Sequence, residues 1–270
     1  MYKLLASDID GTILDHGGVL PAANERAIRR LHDGGVPVVL SSGRATASMR
    51  QIAQRLGLVA DDTYLISYNG AVLAPTQEAS PILVDGLDRA AVADLAAYAN
   101  DAGLHIQGYT ETGFVSNTAN ENARVYAAAS MLEYDVTKDL AAALPNGSPK
   151  LLVIGEHEQL LEHQRYVDAL AAGRWRTTFS NPSYLEIVGP QVSKGTALSH
   201  LAERLGIAMD EVVAVGDSLN DVEMIQAAGL GVAVQNALDE VKAHAQMITS
   251  RSVAEGAIEE IVAHAFDHVA

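Results

Sequence analysis

Short apolar runs alternate with stretches of helical periodicity from residue 1 to about residue 80. Leu4–Ser7, Val36–Leu40 and Tyr64–Ser67 are almost continuously apolar, as strands buried on both faces are. Between them, Ala22–His32 and Thr46–Leu56 repeat apolar residues at helical spacing. Strand, helix, strand, helix, strand predicts a parallel sheet with right-handed crossovers. Gly34-Gly35 supplies the stop of the first helix, and Pro37 is tolerable only because it falls at the start of its strand. The rhythm returns after about residue 190. There the pattern predicts helix Lys194–Leu205, strand Val212–Val215, helix Asp221–Ala228, strand Gly231–Val234, helix Ala237–Ala245, strand Met247–Thr249 and helix Val253–Ala265.

The middle of the chain reads differently. Leu104–Tyr109 and Phe114–Asn117 are short strands around Thr110-Glu111-Thr112-Gly113, and Phe179–Val188 holds a second hairpin turning at Asn181-Pro182-Ser183. With the strand Leu151–Gly155 and helices over Arg89–Asn100, Ala119–Leu132 and Gln159–Ala171, this is an α+β insert. The expected organisation is one α/β, doubly wound parallel-sheet core made of residues 1–81 and 189–270, split by a second domain over 82–188.

Composition narrows the function more than the fold. Of 270 residues, 49% are hydrophobic but only 5% aromatic, so the core must be built of Ala, Val, Leu and Ile, as in helices packed on an apolar sheet. Formal net charge is -16, which repels nucleic acid and anionic lipid in the absence of a basic patch, and the basic residues occur only as short pairs such as Arg29-Arg30. Neither nucleic acid nor a membrane is expected as a partner. There is no cysteine, which removes disulfides, thiol nucleophiles and zinc-thiolate sites together. No apolar run approaches the ~18 residues of a membrane span, so a cytoplasmic protein is expected.

In an open parallel sheet, ligands bind beyond the carboxyl ends of the strands, so the residues just past each apolar run matter most. The first run leads into Asp8-Ile9-Asp10-Gly11-Thr12. If the strand continues, Asp8 and Asp10 share a face, and at about 4 Å and an effective dielectric near 20 their repulsion is on the order of 4 kcal/mol. A cation or a shared proton would relieve it. The second run leads into Ser41-Ser42-Gly43-Arg44 at a helix start, where free amides and a hydroxyl suit a phosphate and Arg44 opposes the helix dipole. Lys194, in Val192-Ser193-Lys194-Gly195-Thr196, has the same wrong sign for its helix unless an anion faces it. The strand Val212–Val215 leads into Gly216-Asp217-Ser218-Leu219-Asn220-Asp221. Strand ends of one sheet lie together, so Asp8, Asp10, Asp217 and Asp221 can meet around one hard cation with oxygen ligands. The nine histidines fall in no metal-ligand spacing.

These residue types match phosphoryl transfer. Its barrier is largely electrostatic, and a carboxylate nucleophile needs Mg²⁺ and fixed donors to approach an anionic phosphate. Asp8 would attack phosphorus, Asp10 would protonate the leaving oxygen and later deprotonate water, and Lys194, Ser42 and the Gly43 amide would hold the remaining oxygens.

Asp8-Ile9-Asp10-Gly11-Thr12 resembles the nucleophile motif of the haloacid dehalogenase superfamily, Ser42-Gly43-Arg44 its second motif, Lys194-Gly195 its third, and Gly216-Asp217 with Asn220-Asp221 and Met224 its fourth, in family order. With Asn69-Gly70-Ala71 and Asn236-Ala237, the chain is similar to the Cof-type (IIB) sugar-phosphatase branch, whose insert is a C2-type cap on a Rossmann-like core. The resemblance implies Mg²⁺ held by the Asp8 carboxylate, the Asp10 backbone carbonyl and Asp217, with Asp221 assisting directly or through water. It implies phosphate binding by Ser42, Gly43, Lys194 and Asn220, and Arg44 is expected to bind the phosphate with them. The expected activity is Mg²⁺-dependent hydrolysis of a small phosphomonoester, a sugar phosphate or related metabolite, through an aspartyl-phosphate. A phosphomutase and a receiver-like phosphoacceptor are the alternatives. The physiological substrate, the cap residues that select it and the oligomeric state are left open by the sequence.

Overall fold

A computed structural model describes residues 1–77 and 80–267. The chain divides into two compact units, one of Met1–Leu83 with Ser193–Ala270 and one of Val84–Val192.

The first unit holds the strands β1 (Leu4–Asp8), β2 (Val38–Ser41), β3 (Thr63–Ser67) and β4 (Val72–Pro75), and β5 (Leu83–Val84) falls on the boundary. Three further strands, here called β12 (Val212–Gly216), β13 (Leu230–Ala233) and β14 (Met247–Ile248) after the six of the insert, complete an eight-stranded sheet ordered β14-β13-β12-β1-β2-β3-β4-β5. Strands β1, β2, β3, β12, β13 and β14 are mutually parallel, with Leu5 beside Val38 and Val213. Their alternating side chains feed two cores. Leu5, Val38, Leu40, Leu65, Val213 and Val215 pack under helices α1 (Ala22–Asp33), α2 (Thr46–Leu56) and α10 (Ala257–Ala265). Leu4, Ala6, Val39, Ile66, Val212 and Ala214 pack under α7 (Lys194–Leu205) and α8 (Val222–Ala227). The order runs outward from β1 through β2 and β3 and resumes at β12 on the other side of β1. The strand order therefore reverses between β12 and β1, the place where doubly wound sheets open a crevice.

Three expectations are adjusted. The predicted helix over 237–245 shortens to α9 (Asp239–Lys242), and the predicted helix over 253–265 is interrupted at Gly256, whose φ of 95° no continuous helix accepts. The sheet also carries an antiparallel strand, β4, paired with β3. Tyr68, Asn69 and Gly70 all take positive φ and turn the chain straight back after β3. Among the described residues no helix is long and apolar enough to cross a membrane.

The second unit is a six-stranded sheet of β6 (His105–Tyr109), β7 (Gly113–Ser116), β8 (Glu133–Val136), β9 (Lys150–Ile154), β10 (Arg176–Asn181) and β11 (Tyr184–Val188), ordered β10-β11-β9-β6-β7-β8. The predicted hairpins are β6–β7 and β10–β11. One face packs Ile106, Val115, Leu151, Val153, Leu185 and Ile187 against α3 (Arg89–Asp101), α5 (Leu140–Ala143) and α6 (His157–Ala171). On the alternate residues the sheet is polar yet buried. His105 bonds Asn120, at the cap of α4 (Glu121–Ser130), and Gln107, which donates to the Tyr109 hydroxyl, itself bonded to Tyr126 on α4. Lys150 and Glu186 form an ion pair of 2.9 Å that is almost wholly buried.

Burial holds the His105 imidazole below its ordinary pKa, against the two side-chain hydrogen bonds. A histidine depressed in the folded state contributes stability that is present above its unfolded pKa of about 6.5 and is lost as pH falls through its folded value. His105→Gln is therefore expected to flatten the decline in melting temperature below about pH 6.5. Thermal melts of both proteins from neutral pH to pH 5 check this, and parallel curves would remove His105 from the acid response.

Candidate active site

Strand order places the ends of β12, β1 and β2 side by side, and the residues beyond those ends form the site. Asp8 is the last residue of β1, level with Ser41 of β2. Because the strand stops there, strict alternation does not extend to Asp10. The Asp8 side chain is 8% exposed and its Oδ1 accepts a 2.6 Å bond from Lys194 Nζ, while the Asp10 carboxylate is 39% exposed and engaged elsewhere. Arg44 grips it with two bonds, Nε to Oδ2 at 2.6 Å and Nη2 to Oδ1 at 2.7 Å. This is the forked geometry of a guanidinium on a carboxylate. Arg44 lies one residue before Ala45, the N-cap of α2, and its backbone amide donates to Ser42 Oγ. It is thus outside the first helical turn, and its side chain holds Asp10.

Lys194 is the first residue of α7, and the Ser193 hydroxyl caps that helix by accepting from the Thr196 amide. The lysine is fully buried and bridges Asp8 Oδ1 and Asp221 Oδ1, each at 2.6 Å. Asp221 Oδ2 accepts the backbone amides of Asp217 and Ser218, both at 3.0 Å. Asp221 thus fixes the turn after β12 and the lysine together, and its Oδ1, like that of Asp8, keeps a second lone pair. Asp217 Oδ1 accepts from Thr12 Oγ1 at 3.0 Å, which ties the β12 end to the β1 end. The loop between them has no room for a side chain at Gly11: with φ at 88°, a Cβ there would lie 2.4 Å from Asp217 Oδ2. Asn236 donates to the Gly11 carbonyl at 2.8 Å and accepts from the Val253 amide, so a fourth segment holds the nucleophile loop. Asn220 pairs with Asn69. His105 lies in the second unit, and His157 and His200 do not join the cluster.

Carboxylate oxygens of Asp8, Asp217 and Asp221 lie within 4.8 Å of one another, all three residues being buried. Burial pushes the Asp8 carboxyl well above the usual range, opposed by Lys194 and reinforced by Asp221, Asp217 and Asp10. Burial, then Asp221, pushes Asp217 up to about 6, against the Thr12 hydrogen bond and Lys194. Burial pulls the Lys194 ammonium down, but Asp221 and Asp8 outweigh it and hold it above its ordinary value. One ammonium for three buried carboxylates leaves an excess of negative charge that a divalent cation would cancel. All the donors are hard oxygens, so the residues fit Mg²⁺ rather than a thiophilic ion.

Sequence reasoning missed how three residues act. The Thr12, Asn69 and Asn236 side chains each hold another segment's loop, and nothing in the pattern of a single strand end reveals a partner over a hundred residues away.

A family model described as haloacid dehalogenase-like hydrolase matches residues 5–261. The chain is 31% identical over 246 residues to an HMP-PP phosphatase of Cronobacter sakazakii, covering 90% of this chain and 88% of that one. It is 30% identical over 263 residues to a 5-amino-6-(5-phospho-D-ribitylamino)uracil phosphatase of Bacillus subtilis, covering 96% and 94%. A crystal structure of a haloacid dehalogenase-like hydrolase from Bacteroides thetaiotaomicron superposes with a TM-score of 0.89 at 27% identity, over 98% of this chain and 99% of that one. On the length matched and on its phosphatase relatives, the chain belongs to the haloacid dehalogenase-like hydrolase family, as an enzyme of its phosphatase kind.

Proposed function

We propose that this phosphatase hydrolyses a small phosphomonoester, a sugar phosphate or related metabolite, through an aspartyl-phosphate on Asp8. The observation that carries the reading is the Asp8 carboxylate: buried, held on Oδ1 by Lys194, and grouped with Asp217 and Asp221. Lys194 orients the carboxylate so that Oδ2 is the attacking oxygen. The Asp8 oxygen–phosphorus bond forms as the ester oxygen–phosphorus bond breaks, and the leaving oxygen takes a proton from Asp10. Water then attacks phosphorus and gives its proton to Asp10, and the bond to Asp8 breaks to release inorganic phosphate. Arg44 keeps the Asp10 carboxyl in one orientation for both transfers. Ser42, the Gly43 amide, Lys194 and Asn220 hold the other phosphoryl oxygens.

Asp8 and Asp217 would hold Mg²⁺, with the Asp10 carbonyl as the family resemblance implies. The ion when bound would neutralise phosphoryl charge. Asp221 would assist directly or through water, as the resemblance implies, while fixing Lys194 and the Asp217 turn. The unit Val84–Val192 is then the cap implied by the resemblance, and the cytoplasm is the compartment consistent with a small phosphorylated substrate.

With Mg²⁺, the protein is expected to release inorganic phosphate from members of a panel of sugar phosphates, nucleotides and cofactor phosphates. EDTA should stop release, and added Mg²⁺ should restore it. Mg²⁺ at about 100 times its Kd should also raise the stability of the metal-free protein by about 2.7 kcal/mol, read as a higher melting temperature. Isomerised sugar phosphate with negligible phosphate release would make it a mutase. A long-lived acyl-phosphate without turnover would make it receiver-like.

A further inference from the structure

We propose that Asn69 is a positioning residue of the phosphate site, whose carboxamide sets the orientation of Asn220. The inference rests on the phosphatase reading above and adds to it a residue that is not one of the acidic cluster.

Tyr68, Asn69 and Gly70 have φ of 52°, 60° and 102°, three successive residues in the left-handed region. Glycine takes that conformation freely and asparagine more readily than most, but a tyrosine does not. Such a turn persists only where its surroundings over-determine it, and strain of this kind gathers at functional sites. Here the surroundings are the site's own loops. The Tyr68 amide donates to the Arg44 carbonyl at 3.0 Å and the Asn69 amide to the Ser42 carbonyl at 3.1 Å, so the turn fixes the loop beyond β2 from both ends. Gly70 lies so close to the start of α7 that a Cβ on it would be 2.1 Å from the Ser193 carbonyl oxygen, one residue before Lys194.

The side chain of Asn69 completes this arrangement. It is buried, and its Oδ1 accepts from Asn220 Nδ2 at 3.0 Å. Asn220 Oδ1 is buried without a hydrogen-bond partner. An unpartnered buried carbonyl oxygen is costly, and a carboxamide free to turn would relieve it. The acceptor on Asn69 requires a donor and so keeps the nitrogen of Asn220 in place. An amide nitrogen carries two hydrogens, of which Asn69 takes one and aims the other. With Asn69 truncated, Asn220 can present its oxygen to the phosphate and repel it. The defect is expected in anion binding and not in bond breaking.

The test uses Asn69→Gly, which keeps the left-handed backbone and both main-chain bonds while removing the carboxamide. It is compared with Asn220→Ala and the double variant. The probes are p-nitrophenyl phosphate hydrolysis with Mg²⁺ and inorganic phosphate binding by calorimetry, alongside the melting temperature. For Asn69→Gly, KM and the Kd of inorganic phosphate should rise about tenfold, the scale of one hydrogen bond to an anion, with kcat within about twofold. The melting temperature should hold, and the double variant should bind phosphate no worse than Asn220→Ala alone. An unchanged Kd overturns the assignment, as do additive effects in the double variant. So does a joint collapse of kcat and melting temperature, which would make Asn69 structural only. A wild-type protein that neither binds inorganic phosphate nor hydrolyses the ester overturns the phosphatase reading itself, and the two failures are thereby distinguished.

Discussion

Asp8→Asn is expected to lower kcat for phosphate release by at least about 10³-fold, as loss of a nucleophile does, while leaving a folded protein. The amide keeps the shape of the side chain and still offers an oxygen to Lys194, but it cannot form an acyl-phosphate. Its effect on stability should have the opposite sign to its effect on activity. Burial and three neighbouring carboxylates disfavour the charge on Asp8, so removing it relieves repulsion in the metal-free protein. The variant should therefore melt at or above the wild-type temperature in EDTA. Steady-state phosphate release and thermal melts run side by side decide the matter. Activity within tenfold of wild type would exclude Asp8 as nucleophile, and a large fall in melting temperature would show that the loss came from misfolding.

The largest stability effect is expected from Lys194→Met. The ammonium has no exposed surface and joins two carboxylates of which Asp221 is also fully buried. Methionine fills much of the same space without the charge, leaving both acids uncompensated. Breaking a buried pair in this way costs about 3–5 kcal/mol, which at roughly 2–4 °C per kcal/mol lowers the melting temperature by about 10 °C. Turnover should fall as well, since Asp8 loses the donor that orients it. Mg²⁺ should recover part of the stability and none of the orientation. Combining Lys194→Met with Asp8→Asn should recover stability too, because the unpaired charge on Asp8 is gone, and that non-additivity is the signature of a direct pair. Additive losses would mean that the lysine acts by packing alone.

The core's parallel strands were legible because each is short, apolar and bounded by polar residues, and no helix pattern competes with Leu4–Ser7 or Val212–Val215. The acidic cluster was legible for the same reason. Asp8, Lys194, Asp217 and Asp221 stand directly at the ends of such elements, and adjacent strand ends bring them together. What the sequence hid was contact between side chains. Arg44 reads as a cation near an anion site, yet the anion it holds is Asp10. Strand alternation put Asp8 and Asp10 on one face, but the strand ends at Asp8, and periodicity cannot locate its own last residue. The reversal into the antiparallel β4 has a local signal in Asn69-Gly70, but it also needs a left-handed Tyr68, which tertiary contacts and not propensity impose.

The buried Lys150–Glu186 pair of the second unit constrains how this chain can drift in evolution. Replacing either partner alone removes the opposite charge that each has been buried against, whereas replacing both with apolar residues of similar bulk costs less. Ser180, which donates its hydroxyl to Glu186, would lose its acceptor in the same event. The pairing therefore favours a concerted exchange of the two positions over a change at one of them.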